Sequence, residues 1–321
     1  MTGVRHLEVG PGDADMRLDR WFHREFPGIG HGRLAKLLRT GQIRLDGRRC
    51  KAGDRLAPGQ TVRVPPLPDE TQPPRRAEPD RAPDAAELDD LRRRILYRDD
   101  DLIALDKPSG LAVQGGTGTK RHLDAMLDGL RFDAAERPRL VHRLDRDTSG
   151  VLLLARTAAS ARELGQLFKS RETEKTYWAL VAGSPETSDG TIDLPLAKQP
   201  GKAGERVRVD HAAGQRAVSR FRVVDHAGDK VSWLELKPVT GRTHQLRVHC
   251  AAIGCPILGD GKYGGSAVFA TGIDIVKRVH LHARSIGLPR RKGKMQVIEA
   301  PLPPELVKSW RAFGFDPRSQ E

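Results

Sequence analysis

The sequence predicts an α+β protein with a mixed, largely antiparallel sheet flanked by helices and loops, preceded by a smaller α/β domain. Three observations lead to this fold class. The chain has 321 residues, more than one domain usually contains. Strand patterns occur both as hairpins and next to helical patterns. Residues 66–90 are rich in proline and have no apolar periodicity, which is typical of a linker. We therefore predict domains at 1–65 and 91–321.

The first domain begins with two helical patterns and ends with short strands. MRLDRWFHREF spaces its apolar residues as a helix does, and HGRLAKLLRTG forms a second helix that ends at Gly41. One side of the second helix carries three cations, here called the cation stripe: Arg33, Lys36 and Arg39. The segment from 42 to 64 predicts two or three strands with turns at Asp46-Gly47 and Pro58-Gly59. A basic stripe suits a phosphate backbone, although a solvated helix face has the same composition.

The second domain alternates hairpins, single strands and helices. The patterns that predict these elements are, in chain order, a hairpin in ILYRDDDLIALDKPSG, a buried strand in VLLLAR, a helix in SARELGQLFKS, a strand in EKTYWALVAG, a hairpin in RFRVVDHAGDKVSWLELKP and a helix in GRTHQLRVHCAAIG that ends at Gly254.

Composition points to a polyanionic partner. The net charge is +13 and the pI is about 10.0, which favours nucleic acid, although a basic enzyme of another kind has the same balance. Three cysteines in a long chain argue against a disulfide framework. We find no export signal and no apolar run near the roughly 20 residues that span a bilayer, so we expect a cytoplasmic protein with no membrane partner.

No motif for a cofactor or metal is found in the sequence. GGTGTK has the wrong spacing for a phosphate loop, and no G-x-G-x-x-G or G-x-S-x-G motif occurs. Cys250 and Cys255 lack zinc-knuckle spacing. His280 and His282 share one face of a strand and could bind a metal, but such pairs more often pack or form hydrogen bonds. We expect no cofactor and no metal.

The stretch HRLDRDTSG (142–150) is the strongest candidate for chemistry. Asp145 lies two residues from Arg143, so in extended backbone the two side chains point the same way. A guanidinium keeps a neighbouring carboxylate ionised, as a nucleophile or base requires. Tyr177 next to a lysine on a strand is a half-buried packing residue or a substrate contact. Arg242 opens a predicted helix, where an anion is favoured.

Six motifs in order resemble the RluA-type pseudouridine synthases, enzymes that isomerise uridine in RNA. They are LDKPSGLAVQ (105–114), LVHRLDRDTSGVLLLAR (140–156), EKTYWALV (174–181), TGRTHQLRVH (240–249), LGDGKYG (258–264) and LHA (281–283). The resemblance covers residues 90–305 and implies a pseudouridine-synthase-type sheet. Residues 15–65 resemble the S4 RNA-binding domain, and the combination is similar to the RluC-like members that modify large-subunit rRNA.

The resemblance also implies roles for single residues. Asp145 would be the essential catalytic carboxylate, and Arg143 would help to extrude the target nucleotide. Tyr177 would stack on the base, Arg242 would pair with the Asp145 carboxylate, and Leu246 would pack against the base. On the substrate side the resemblance adds Lys107 and the cation stripe.

Pseudouridine formation breaks the N1–C1′ bond and rejoins the uracil through C5, so it consumes no electrons, phosphoryl group or water. Asp145 could attack the sugar or remove a sugar proton, and the sequence leaves both routes open. We expect a monomer that acts on 23S rRNA or a pre-50S particle. The alternatives are a tRNA uridine isomerase of the same family, or a non-catalytic RNA-binding or ribosome-assembly protein.

Overall fold

A computed structural model describes residues 3–67, 83–115, 119, 121–199, 206–269, 272–290 and 294–320. The chain divides into two compact units, Met1–Pro79 and Asp80–Glu321. Each unit has its own hydrophobic core. Among the described helices, none combines the length and apolar content that crossing a bilayer would require.

The first unit packs two helices against a small antiparallel sheet. Its elements are β1 (Arg5–Glu8), α1 (Leu18–Glu25), α2 (His31–Arg39), β2 (Arg44–Leu45), β3 (Arg48–Arg49) and β4 (Thr61–Val64), with the sheet order β1-β4-β2-β3. The two predicted helices are confirmed, because their apolar residues are buried while the cation stripe is exposed. Asp46 and Gly47 both have positive φ, which confirms the turn between β2 and β3. Strand β1 has no counterpart in the sequence prediction.

The second unit is built on a ten-stranded sheet within the described residues. Its helices are α3 (Ala85–Arg93), α4 (Leu123–Met126), α5 (Ala158–Ser170), α6 (Gln245–Ala252), α7 (Gly261–Gly264) and α8 (Pro304–Ala312). Its strands are β5 (Ile95–Arg98), β6 (Leu102–Lys107), β7 (Arg139–Leu140), β8 (Ser149–Ala155), β9 (Glu174–Ala182), β10 (Asp189–Asp193), β11 (Leu196–Gln199), β12 (Arg206–Val209), β13 (Val218–Ala227), β14 (Val231–Pro238), β15 (Leu281–Pro289) and β16 (Met295–Glu299). Strands β11 and β12 form a separate two-stranded ribbon.

The large sheet has the order β10-β13-β14-β9-β15-β8-β6-β5, with β16 paired to β15 and β7 to β8. Strands β8 and β15 pair in parallel, and the other described pairs are antiparallel. A mixed, largely antiparallel sheet is therefore confirmed. At the parallel junction Gly150 has φ +109°, and a Cβ there would lie 2.2 Å from the carbonyl oxygen of Ala283. Only glycine allows the two backbones to approach so closely.

The predicted linker is wrong at its C-terminal end. Residues 85–90 belong to α3, whose N-terminus is closed by a capping box between Asp84 and Glu87. Leu91 is buried and Leu88 partly buried in the core of the second unit, so packing holds this segment as a helix. Residues 68–82 of the predicted linker lie outside the described residues.

Candidate active site

The loop between β7 and β8 carries Asp145 and is held by a second loop, residues 107–111. The Arg146 carbonyl accepts hydrogen bonds from the Gly110 N–H (2.9 Å) and the Lys107 ammonium (3.1 Å). The Ser109 hydroxyl donates to the Asp147 carbonyl at 2.9 Å. Hydrogen bonds to the carbonyls of Arg146 and Asp147 therefore fix the segment that follows Asp145.

Lys107 does not lie on the substrate side, so this part of the sequence-based assignment is wrong. Its side chain is fully buried and is not among the residues that line the cleft around Asp145. The ammonium donates to the carbonyls of Pro108 (2.8 Å), Leu111 (2.9 Å) and Arg146 (3.1 Å). Burial lowers the pKa of Lys107 to about 7, against the opposing charge of Asp147. Lys107 is an internal brace between two loops.

Asp145 projects into a cleft of about 520 Å³. Its carboxylate is 18% exposed, so it is shielded but open to a ligand. Of the residues that line this cleft, Asp145 is the one acidic side chain, and the cationic ones are Arg143, Lys169, Arg171, Lys175, Arg242 and Arg247. The cationic lining therefore favours an anionic ligand in the cleft, with Asp145 as the one carboxylate among the residues that line it.

Arg247 and His244 are the basic groups next to the Asp145 carboxylate. The Arg247 guanidinium lies 3.8 Å from Oδ2 of Asp145, and Nε2 of His244 lies 3.9 Å from Oδ1. Each of the two carboxylate oxygens of Asp145 therefore has a basic side chain within 4 Å.

Arg242 lines the cleft but does not pair with Asp145, so the predicted ion pair is wrong. Its Nε donates to the Arg216 carbonyl at 3.2 Å. The reason is the start of the helix: α6 begins at Gln245, and His244 at its N-cap has φ +53°. Arg242 therefore lies in the loop before the helix, whereas Arg247 lies in the first turn and faces inward. The sequence signal that could have identified Arg247 is its position as a charged residue within the largely apolar stretch LRVHC.

A buried ion pair orients Arg247. Asp260, at the end of the loop before α7, accepts two hydrogen bonds of 2.7 Å from the Arg247 guanidinium. Both side chains are nearly inaccessible to solvent, at 6% and 1% exposure. Burial opposes the charge of Arg247, but the Asp260 hydrogen bonds and charge leave its pKa raised. The bidentate contact fixes the plane of the guanidinium that faces Asp145.

His244 is held by a second chain of hydrogen bonds. The Val207 N–H donates to the Tyr263 oxygen at 3.3 Å, and the Tyr263 hydroxyl lies 2.6 Å from Nδ1 of His244. When the Tyr263 hydroxyl donates to Nδ1, the ring proton of neutral His244 lies on Nε2, the nitrogen that faces Asp145. Burial lowers the pKa of His244, against the charge of Asp145. The sequence analysis assigned no role to His244 or Tyr263.

Tyr177 and Leu246 form apolar walls of the same cleft. Tyr177 lies on β9 and packs against the cores on both sides of the strand, while Leu246 lies on α6 and is 7% exposed. Burial, and then the negative charge of Asp145, raise the pKa of the Tyr177 phenol. The phenol therefore stays neutral next to the carboxylate. Arg143 is exposed at the same cleft. The structure thus brings together Asp145, Arg143, Tyr177, Arg242 and Leu246.

The cation stripe belongs to the first unit, where all three side chains are exposed on α2. The two histidines in and beside β15 serve the fold: His280 donates from Nδ1 to the Leu258 carbonyl, and His282 contacts the Ser149 hydroxyl (3.0 Å) and the Ala300 carbonyl (3.2 Å). The described residues contain no group of three potential ligands arranged to hold a metal ion.

Comparison with known proteins gives one family model, two relatives and one solved structure. A family model described as RNA pseudouridylate synthase matches residues 101–252. The chain is 35% identical over 310 residues to the ribosomal large subunit pseudouridine synthase C of Vibrio vulnificus, with 96% of each chain covered. It is 34% identical to the mitochondrial RNA pseudouridine synthase 4 of Arabidopsis thaliana, over 91% of this chain and 78% of that one. Among solved structures, the human RNA pseudouridylate synthase domain containing 4 superposes with a TM-score of 0.59 and 28% identity, covering 70% of this chain and 95% of that one.

Proposed function

The chain belongs to the RNA pseudouridylate synthase family and is therefore an isomerase that acts on RNA, and we propose that its substrate is large-subunit ribosomal RNA. Relatives named for the large ribosomal subunit match over almost the full chain, which supports this substrate. The net charge of +13 suits a long polyanion. The substrate is 23S rRNA, free or in a precursor of the 50S particle, and the protein acts as a monomer.

Asp145 is the catalytic carboxylate in this proposal. The observation that carries the assignment is its position: it is the one acid among the residues that line a cationic cleft, with Arg247 and His244 within 4 Å of its two oxygens. The carboxylate acts on the ribose of the target uridine while the N1–C1′ bond breaks and the C5–C1′ bond forms. The proton lost from C5 is balanced by the proton gained at N1, so no co-reactant is needed.

Tyr177 and Leu246 retain the detached uracil. An aromatic ring next to the carboxylate can stack on the base, and the neutral phenol adds no charge that would repel it. The uridine must first leave its helix, which costs a few kcal/mol. Cations at the cleft, Arg143 among them, offset this cost through contacts with the RNA backbone.

The first unit is proposed to act as an S4-like RNA-binding domain. Its cation stripe lies on the exposed side of α2, opposite the leucines that the core buries. The leucines of α2 pack into the core and the cations do not, so the cations can contact phosphates without loss of packing.

The experiment is pseudouridine mapping of total RNA from cells that lack this gene and carry the wild type, Asp145→Asn or Asp147→Asn. Asp147 provides a matched control, since it lies two residues away and does not line the cleft. We expect Asp145→Asn to abolish modification of rRNA and to keep RNA affinity within a few-fold, while Asp147→Asn still modifies rRNA. Undiminished modification by Asp145→Asn would refute the catalytic assignment. Pseudouridine that depends on the gene in tRNA, with none in rRNA, would refute the substrate.

A further inference from the structure

Three cations lie on one side of the cleft, where α5 ends and β9 begins. Lys169 is in the last turn of α5, Arg171 follows the helix, and Lys175 is the second residue of β9. All three line the cleft around Asp145. Within the part of the chain that the structure describes, none of them forms an ion pair or a side-chain hydrogen bond. We call them the α5–β9 triad.

Lys175 is the least solvated member of the triad. Its side chain is half-buried, and its ammonium lies 5.7 Å from the centre of the Phe168 ring. Burial, and then the charge of Arg171, lower the pKa of Lys175. A cation that loses water without gaining a carboxylate is unfavourable unless an anion from outside the protein completes the site.

Arg171 occupies a position where glycine would suit the backbone better. It has φ +65° and closes α5 in the left-handed conformation. Glycine usually occupies this helix end, because a side chain there costs conformational free energy. No ion pair or side-chain hydrogen bond between Arg171 and a described residue offsets this cost. The guanidinium of Arg171 is therefore available to a ligand in the cleft that it lines.

We propose that the α5–β9 triad is a phosphate subsite that binds the RNA backbone next to the target uridine. Lys175 and Tyr177 are two residues apart on β9, so they share one face of the strand and lie about 7 Å apart. An anion on Lys175 therefore lies beside the base that Tyr177 contacts, and not beneath it. The ligand is a phosphodiester of a neighbouring nucleotide. This inference rests on the proposed function for its ligand, an RNA chain in the cleft.

The test is single-turnover modification of total RNA from cells that lack the gene, with the enzyme in excess. The half-saturating enzyme concentration and the maximal rate are measured for wild type, Lys175→Met and Arg171→Gly. Arg162→Gln is the matched control, because Arg162 is exposed on the same helix, has no ion pair with a described residue and does not line the cleft. It removes the same charge away from the proposed subsite.

We expect Lys175→Met and Arg171→Gly each to raise the half-saturating concentration roughly 10-fold, with the maximal rate within about three-fold of wild type. We also plot the logarithm of the half-saturating enzyme concentration against the logarithm of the salt concentration. The slope of this plot should become shallower by about 0.7 for each phosphate that the variant no longer neutralises. Both variants should unfold at the wild-type temperature or above, because methionine preserves the packing against Phe168 and glycine relieves the backbone at 171. The Arg162→Gln variant should match wild type in all three measurements.

Either of two results would overturn the subsite. One is a half-saturating concentration and salt slope equal to those of Arg162→Gln. The other is a lower unfolding temperature with a reduced maximal rate, which would make the triad structural. Because total RNA is the substrate, the comparison also works if the modified uridine belongs to tRNA. That outcome would refute the proposed rRNA substrate while the subsite is still decided by the variants.

Discussion

Replacing Lys107 with methionine should remove a pH dependence from the stability of the protein. Lys107 is fully buried, and burial lowers its pKa from 10.5 to about 7. Between these pH values the unfolded chain keeps the lysine proton and the folded chain releases it. The unfolded state therefore binds more protons, and the free energy of unfolding rises with pH across this window.

The size of the effect follows from the pKa. At 1.36 kcal/mol for each pH unit, the change from 10.5 to about 7 corresponds to about 5 kcal/mol. This destabilisation is fully present below pH 7 and is lost by pH 10.5. About 2 kcal/mol of the change falls between pH 7 and 9, because the folded lysine is still half protonated at pH 7. The three carbonyls that accept from the ammonium favour its charged form, so these values are upper limits.

Urea unfolding of wild type and Lys107→Met at pH 7, 8 and 9 measures this difference. Methionine has a similar length and no titration, so the wild type should gain stability relative to the variant at each step. A difference between the two proteins that stays constant with pH would refute the desolvation of this amine. RNA affinity is the second measurement. Because Lys107 is internal, Lys107→Met should not lose affinity through a missing RNA contact. A variant of wild-type stability that binds RNA weakly would instead return Lys107 to the substrate side.

Three further predictions concern the ion pairs, the parallel junction and the first unit. Arg247→Met leaves the Asp260 carboxylate buried and unpaired, so we expect a loss of about 3–5 kcal/mol in unfolding free energy together with a loss of turnover. Arg242→Gln should stay within about 0.5 kcal/mol of wild type in the same urea titration, and the opposite ranking would contradict the arrangement seen here. Gly150→Ala should cost roughly 3 kcal/mol or more, because its Cβ meets backbone that cannot move aside; wild-type thermal stability would disprove the close approach. Reversing the charges of the cation stripe should flatten the salt dependence of RNA binding, whereas an unchanged slope would identify a merely solvated helix face.

Local pattern in the sequence was sufficient for most of the elements. The 3.6-residue spacing in MRLDRWFHREF reports which side of α1 is buried. The predicted strand in EKTYWALVAG is β9, where consecutive residues from Trp178 to Val181 are buried, so both faces of the strand are covered. Turn chemistry at Asp46-Gly47 likewise follows from the residues themselves. The end of the predicted linker was wrong because the capping box at Asp84 and the packing of Leu91 outweigh the composition of the segment before them.

For the site, the sequence alone determined that Asp145, Arg143 and Tyr177 belong to a basic, RNA-facing chain, and the structure places them in one cleft. The folded chain was needed to show that Arg247, and not Arg242, faces the carboxylate, that Lys107 is internal, and that the α5–β9 triad borders the cleft. The periodicity of a helix or strand is local and can be read from neighbouring residues. The desolvation and pairing of a charge depend on groups far away in sequence, such as Asp260 for Arg247 and the Arg146 carbonyl for Lys107.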